Sequence, residues 1–272
     1  MTLLMQISDP HFGTERPAVV EALVRLVHEQ APEVVVVSGD ITQRATPKQF
    51  YAARVFFGRL GTMPMLMIPG NHDIPLFNIP IRLFAPFRNY RRVCGADLEP
   101  VFRSERWFIV CVNTTRAYRH KDGEVSCAQI KRVAELLRTA APGQLRVVVV
   151  HQPVAVIGDS DRHNLLHGRN AAVRCWAGAG ADLIMGGHIH VPYVLPLHER
   201  YDHLPGRLWT VQAGTAVSMR VRRGGDNSVN LIRYSDRQQP RQCVLERWDC
   251  AVPEIGFRCF SKHTLVCGMA ND

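Results

Sequence analysis

The sequence predicts a mixed α/β fold in which two β-sheets pack together with helices outside. Three observations predict it. Short apolar, β-branched runs alternate with helix-patterned segments as far as Met185. Beyond Gly186 strand-like runs follow one another with few helices between them. The chain of 272 residues, 46% apolar and 21% charged, is long enough to bury a full core and is ordinary for a globular protein.

Residues 3–8 are a candidate first strand. Residues 17–30 place Val20, Leu23, Val24 and Val27 at helical spacing. Residues 33–38 contain an unbroken valine run, which suits a strand buried on both faces. A helix is expected over 47–60, a third strand over 64–68 and a fourth over 107–113. Ser126 and Gln129 form a capping box that opens a helix ending at Ala140. A second valine run at 147–150 reads as another buried strand, 170–178 as a helix, and 181–185 as the strand closing the series. Further strands are expected at 193–198, 208–212, 229–234 and 243–248. Residues 1–249 then form one domain, and 250–272 a loosely held tail with no clear pattern.

The net charge of +9 comes mainly from arginine and favours anionic partners, or simply a solvated basic surface. Eight scattered cysteines show no C-x-x-C spacing, so free thiols in a reducing compartment are expected. The N-terminus has no basic region ahead of an apolar stretch, and no apolar run reaches the ~20 residues that span a bilayer. A cytoplasmic protein is the expectation.

The chemistry lies at the strand ends. The first strand ends in Asp9-Pro10-His11, the second in Gly39-Asp40, and the third in Gly70-Asn71-His72-Asp73. The valine strand at 147–150 ends in His151-Gln152-Pro153, and the last of the series in Gly186-Gly187-His188-Ile189-His190. Carboxyl ends of strands in an open α/β sheet converge on one rim, where ligands bind. Mixed carboxylate and imidazole donors suit Mn, Fe or Zn rather than an all-oxygen Mg or Ca site. Seven donors exceed one tetrahedral zinc but fit two metals that share a carboxylate. Glycines before Asp40, Asn71 and His188 permit tight turns.

This ordered series resembles the calcineurin-like metallophosphoesterase family over residues 3–235. The segments 7–13 and 70–73 resemble its bacterial branch, which includes class III cyclic-nucleotide phosphodiesterases. The resemblance implies a four-layer αββα sandwich of two mixed sheets, with a dimetal site at the carboxyl rim of the strands. It implies two divalent metal ions, the first held by Asp9, His11 and His190, the second by Asn71, His151 and His188, with Asp40 between them. A hydroxide held by both ions would attack phosphorus in line. His72, not a ligand in the family, would contact the phosphate and protonate or stabilise the leaving oxygen. Asp73 would either orient His72 or cap the local turn.

The expected activity is hydrolysis of a small phosphodiester, most concretely a 3′,5′-cyclic nucleotide. A glycerophosphodiester, a nucleotide pyrophosphate or a UDP-diacylglucosamine-type lipid is the alternative. A non-enzymatic scaffold would be expected to lose ligands, and none is missing. A nuclease would carry a DNA-binding extension, for which the chain has no candidate, so nucleic acid is not the expected partner. Three segments are candidates to line the substrate pocket. The aromatic and arginine-rich stretch 74–92 is either a lid, a lipid-facing surface or ordinary core packing. The basic segment 115–123 carries Arg116, His120 and Lys121; the segment 158–169 carries His163, His167 and Arg169. Gly214 suits a close backbone approach at the rim, and Arg220 and Arg222 are either structural or substrate-facing.

Overall fold

The computed structural model describes residues 1–222, 224–237, 240–254 and 256–269. Strand β1 (Thr2–Ile7) leads into α1 (Pro17–Gln30), β2 (Val34–Ser38), α2 (Pro47–Arg59) and β3 (Met65–Ile68). Two short helices, α3 (Ile79–Phe84) and α4 (Arg88–Cys94), precede β4 (Val101–Arg103) and β5 (Trp107–Cys111). The alternation continues through α5 (Cys127–Arg138), β6 (Leu145–Val149), α6 (Arg169–Gly178) and β7 (Leu183–Gly186). The remainder is β8 (Tyr193–Pro196), β9 (Gly206–Arg207), β10 (Trp209–Gln212), β11 (Asn227–Tyr234), β12 (Gln242–Cys250), β13 (Arg258–Val266) and β14 (Gly268–Met269).

Two six-stranded mixed sheets result, in the orders β13-β12-β11-β1-β2-β3 and β4-β5-β6-β7-β10-β8. Alternate side chains of a strand face opposite ways, and the valine runs use both faces. Val34 and Val36 pack with Ile109, Val147 and Met185 between the sheets. Val35 and Val37 pack with Leu23, Val27 and Phe50 under α1 and α2. On the far side Val148 and Ile184 pack with Val133 and Trp176 under α5 and α6. The layers are therefore αββα. Local signals fix the helix starts: Thr46 accepts the Gln49 N–H ahead of Pro47, and Ser126 and Gln129 complete the capping box. Each such cap contributes about 1 kcal/mol.

The β-rich end of the chain is shared between the sheets: β8 and β10 lie in the second, whereas β11 pairs antiparallel with β1, Thr2 opposite Tyr234, and with β12 and β13 completes the first. One expectation is corrected. The described part of residues 250–272 is not a loose tail. The segment begins inside β12, and β13 pairs with β12 from Gln242 opposite Val266 to Asp249 opposite Arg258. Leu265 and Cys267 are buried, and the Trp209 indole donates to the Val266 carbonyl at 2.9 Å. The strand reads poorly in sequence because residues 258–264 are largely exposed on both faces and only Leu265 within it is buried, with Lys262 ion-paired to Glu246 at 2.9 Å.

The stretch 74–92 divides between its expected readings. Tyr90 is fully buried and Phe87 packs against the α1–α2 core, whereas Phe77 is 80% and Phe84 87% exposed.

Candidate metal centre

Both sheets end their parallel strands on one rim, and the seven donors sit in the turns just beyond. Asp9 and His11 follow β1, Asp40 follows β2, and Asn71 opens a tight turn (Asn71–Asp73) after β3. His151 follows β6; His188 and His190 follow β7. Five of these residues have left-handed backbone conformations, with φ of 49° at Asp9, 44° at His11, 47° at Asp40, 72° at His188 and 54° at His190. Such conformations cost of order 1–3 kcal/mol each outside glycine and cluster at functional sites. Two glycines let the turns close. Gly39 has φ +99° and a side chain there would enter the His151 ring; one at Gly70 would strike Asp40.

The donors fall into two groups. Asp9, His11, Asp40 and His190 have ligand atoms within 4.8 Å of one another, as do Asp40, His151 and His188. Asp40 belongs to both, with Oδ2 3.6 Å from His11 Nε2 and Oδ1 3.4 Å from His151 Nε2. Asn71 joins the second group, its Oδ1 3.3 Å from His151 Nε2.

Backbone carbonyls orient the imidazoles. His151 Nδ1–H donates to Ser38 O at 2.9 Å and His190 Nδ1–H to Arg220 O at 2.7 Å, which turns both Nε2 atoms inward. His190 Nε2 then lies 3.0 Å from His11 Nε2 and 3.3 Å from Asp9 Oδ1. Buried His11 Nδ1 and His188 Nδ1 have no partner among the described residues. Converging acceptors and the orphaned His188 nitrogen fit cations, because buried polar groups are otherwise paired.

Burial holds the pKa of His11 and of His188 down to about 3, so both are neutral and offer lone pairs. Burial raises Asp9, but His190 outweighs it and the pKa falls to about 2. Burial also opposes charge on Asp40 and His151, yet their mutual attraction wins: Asp40 lies well below the carboxylate range and His151 rises to about 9.

His72 stands outside both groups. Its Nδ1–H donates to Gln43 O at 2.9 Å, so Nε2 carries the lone pair and accepts from Arg220 Nη1 at 3.2 Å. Its backbone N–H donates to Asp40 Oδ1 at 2.8 Å. Asp73 does not orient His72. Its carboxylate accepts the N–H groups of Ile41 (3.0 Å), Thr42 (2.8 Å) and Gly70 (2.9 Å) and the Thr42 hydroxyl (2.9 Å). The turn-capping alternative is the one these bonds describe, and Gln43 O holds the ring. Nothing in the sequence marks Gln43, because its backbone carbonyl does the positioning.

An opening of about 280 Å³ over the donors is lined by His72, Lys121, His163, Asn164 and Arg220 among others. A smaller cavity of about 130 Å³ beside His72 is lined by Gln43, Arg44, Leu76, Arg82, His120 and Lys121. Each of the three segments singled out in the sequence thus contributes to the rim, though not every residue does. Arg116 bonds Asn113 O, Thr115 O and Gln129; His167 faces Asp122 at 3.7 Å; Arg169 bonds Leu166 O. Arg222 ties buried Asp161 to Ile189 O, both at 3.1 Å, bracing the His188–His190 turn, and it lines the opening over the donors together with Arg220.

Comparison with known proteins gives consistent results. A family model described as calcineurin-like phosphoesterase matches residues 2–192. A glycerophosphodiester phosphodiesterase, GpdQ, of Enterobacter lignolyticus is 38% identical over 84 residues, covering 26% of this chain and 29% of the relative. A probable cyclic nucleotide phosphodiesterase of Synechococcus is 23% identical over 209 residues, 71% of this chain and 76% of the relative. Among solved structures, the purple acid phosphatase PPD1 of yellow lupin superposes with TM-score 0.70 at 12% identity, over 97% of this chain but 53% of its own. A dimetal phosphatase of Danio rerio gives TM-score 0.67 at 11% identity, over 98% and 99% of the two chains.

Proposed function

Since the chain belongs to the calcineurin-like phosphoesterase family, and is a metal-dependent phosphoric ester hydrolase with two divalent metals as cofactor, we propose that it hydrolyses a small phosphodiester, with a 3′,5′-cyclic nucleotide as the specific candidate. We assign Asp9, His11 and His190 to one metal, Asn71, His151 and His188 to the other, and Asp40 to both.

The observation that carries the reading is His72, which lines the opening over the donors yet lies outside both groups. It can meet the substrate once Arg220 gives up its Nε2. When bound, the metals supply Lewis-acid charge and make water a nucleophile at neutral pH. The remaining work falls to the chain. Gln43 O fixes the His72 ring so that Nε2 faces the phosphoryl group and the leaving oxygen. Arg220, which shares that nitrogen and is also held by Gln43 Oε1 at 2.9 Å, places fixed positive charge where negative charge grows. To protonate a leaving oxygen, Nε2 must be released by Arg220 and take up a proton from water, which it then gives to that oxygen as the P–O bond breaks.

The name of the Synechococcus relative supports the cyclic-nucleotide reading. A second reading, a glycerophosphodiester, is favoured by the 38% identity to the Enterobacter relative over its matched segment. The test is to load the purified protein with Mn²⁺ and compare kcat/KM on cAMP, glycerophosphoethanolamine, bis-p-nitrophenyl phosphate and p-nitrophenyl phosphate. Diesters should be preferred. A preference for the monoester overturns the diesterase reading, and cAMP turned over more slowly than the other diesters removes the cyclic nucleotide.

A further inference from the structure

Residues 74–96 carry four arginines and no acidic residue. They form the turn after His72, α3 and α4. Most large apolar side chains of this protein are buried, but here four are not: Phe77 is 80%, Ile79 55%, Leu83 63% and Phe84 87% exposed. Ile79 and Leu83 are one helical turn apart and so share a face of α3. Tyr118, 72% exposed, lies on a neighbouring loop joined to α3 by the Arg82 guanidinium, which donates to Arg119 O at 2.9 Å.

Scattered exposed apolar residues need no explanation, but a cluster rimmed by one sign of charge does. The rim is cationic. Arg44, Arg88 and Arg92 line a cleft of about 600 Å³ together with Leu76, Phe77 and Ile81, and Arg44 stacks over the Phe77 ring at 5.8 Å. Among the described residues none of Arg44, Arg82, Arg88, Arg91 and Arg92 is paired with a carboxylate, unlike Arg119 and Arg132 nearby. Arg44 and Leu76 also line the cavity beside His72, so the patch adjoins the mouth of the site.

We propose that this patch docks the protein on an anionic lipid bilayer: Phe77, Ile79, Leu83 and Phe84 enter the headgroup–acyl boundary and the surrounding arginines meet acidic headgroups. Apolar burial and attraction of basic side chains to anionic lipid act together at such surfaces, and each arginine near the membrane adds to the binding. Among the described residues no helix is long and apolar enough to cross a membrane, so the contact is peripheral. Docking in this way brings the opening over the metal centre to the level of the headgroups.

The test sediments the full, Mn²⁺-loaded protein with vesicles of phosphatidylcholine alone or mixed with phosphatidylglycerol. Binding should require phosphatidylglycerol and weaken as salt rises. Arg88→Gln with Arg92→Gln should weaken it about 30-fold, and Phe77→Ser with Phe84→Ser about 100-fold or more. Hydrolysis of soluble bis-p-nitrophenyl phosphate should stay unchanged in both, which separates this inference from the substrate reading. A third variant, Phe84→Trp, keeps the apolar character; its emission should shift to the blue only with phosphatidylglycerol and be quenched by brominated acyl chains. The proposal is overturned if wild type binds neither vesicle, if the serine variant binds as well as wild type, or if the indole of the Phe84→Trp variant stays in water. It is equally overturned if the serine changes alter only self-association, which would make the patch an interface between copies.

Discussion

Replacing Asp40 with Asn tests whether one carboxylate holds the whole metal centre together. Asp40 is 1% exposed and, among the described residues, is the only one common to both donor groups. Asn preserves its volume and can still accept the His72 N–H, but it removes the charge that each metal would share. A ligand that binds only the folded state at 100 times its Kd adds about 2.7 kcal/mol of stability, so two metals add about 5 kcal/mol. For 272 residues, an unfolding entropy of about 2.1 cal/mol/K per residue converts this to a Tm shift of roughly 9 °C. The wild-type protein, purified with Mn²⁺, should therefore lose roughly 9 °C on addition of chelator. The variant should lose less than a third of that and hold less than one metal per chain by elemental analysis. It should still fold, because in the metal-free protein Asp40 chiefly sustains the charge on His151, and an amide at that position lets the imidazole become neutral instead. Two metals per chain and an undiminished chelator shift in the variant would refute the bridging assignment.

Three further outcomes follow from particular contacts. His72→Ala should keep two metals yet lose about 100-fold or more in kcat on a diester, the range of a lost proton-transfer group; unchanged turnover removes His72 from the chemistry. Ending the chain at Cys250 deletes β13 and β14, exposes the β12 edge, and leaves the Trp209 indole without its Val266 acceptor; thermal unfolding should show a loss of roughly 3–5 kcal/mol or outright aggregation, and an unchanged Tm would make the segment dispensable after all. Tyr90 is fully buried and its hydroxyl has no partner among the described residues; Tyr90→Phe should leave stability equal or raise it by about 1 kcal/mol in urea, whereas a comparable loss would reveal a bond to that oxygen.

The sequence made some features legible because they depend on local spacing. The Ser126–Gln129 box and the valine runs specify their elements without help from the rest of the chain, and the polar residues that end each parallel strand must meet on one rim once those strands share a direction. The pairing of β1 with β11 was not legible, since residues far apart in the chain carry no mutual mark. Nor was β13, in which only Leu265 is buried, so that its sequence carries no period of two. The left-handed turns were half legible. Gly39 announces one, but Asp9, His11, Asp40, His188 and His190 adopt positive φ with ordinary side chains, and only the assembled structure imposes it.

At Asp73 the hydrogen bonds favour turn capping, one of the two readings the sequence left open. Its carboxylate is 1% exposed, and burial together with Asp40 pushes its pKa up to about 7. Four donors from the 41–42 and 70 turns nevertheless converge on it. It therefore fastens the turn that carries Asp40 to the turn that carries Asn71, and so fixes the spacing between a shared donor and a donor of the second group. A carboxylate next to an imidazole in sequence suggests a pair in space. Here the tight turn after Gly70 points the two side chains apart, so that His72 faces the substrate opening while Asp73 faces the scaffold. One short segment thus supplies a donor, an imidazole that lines the opening, and the clamp that keeps the donors in register.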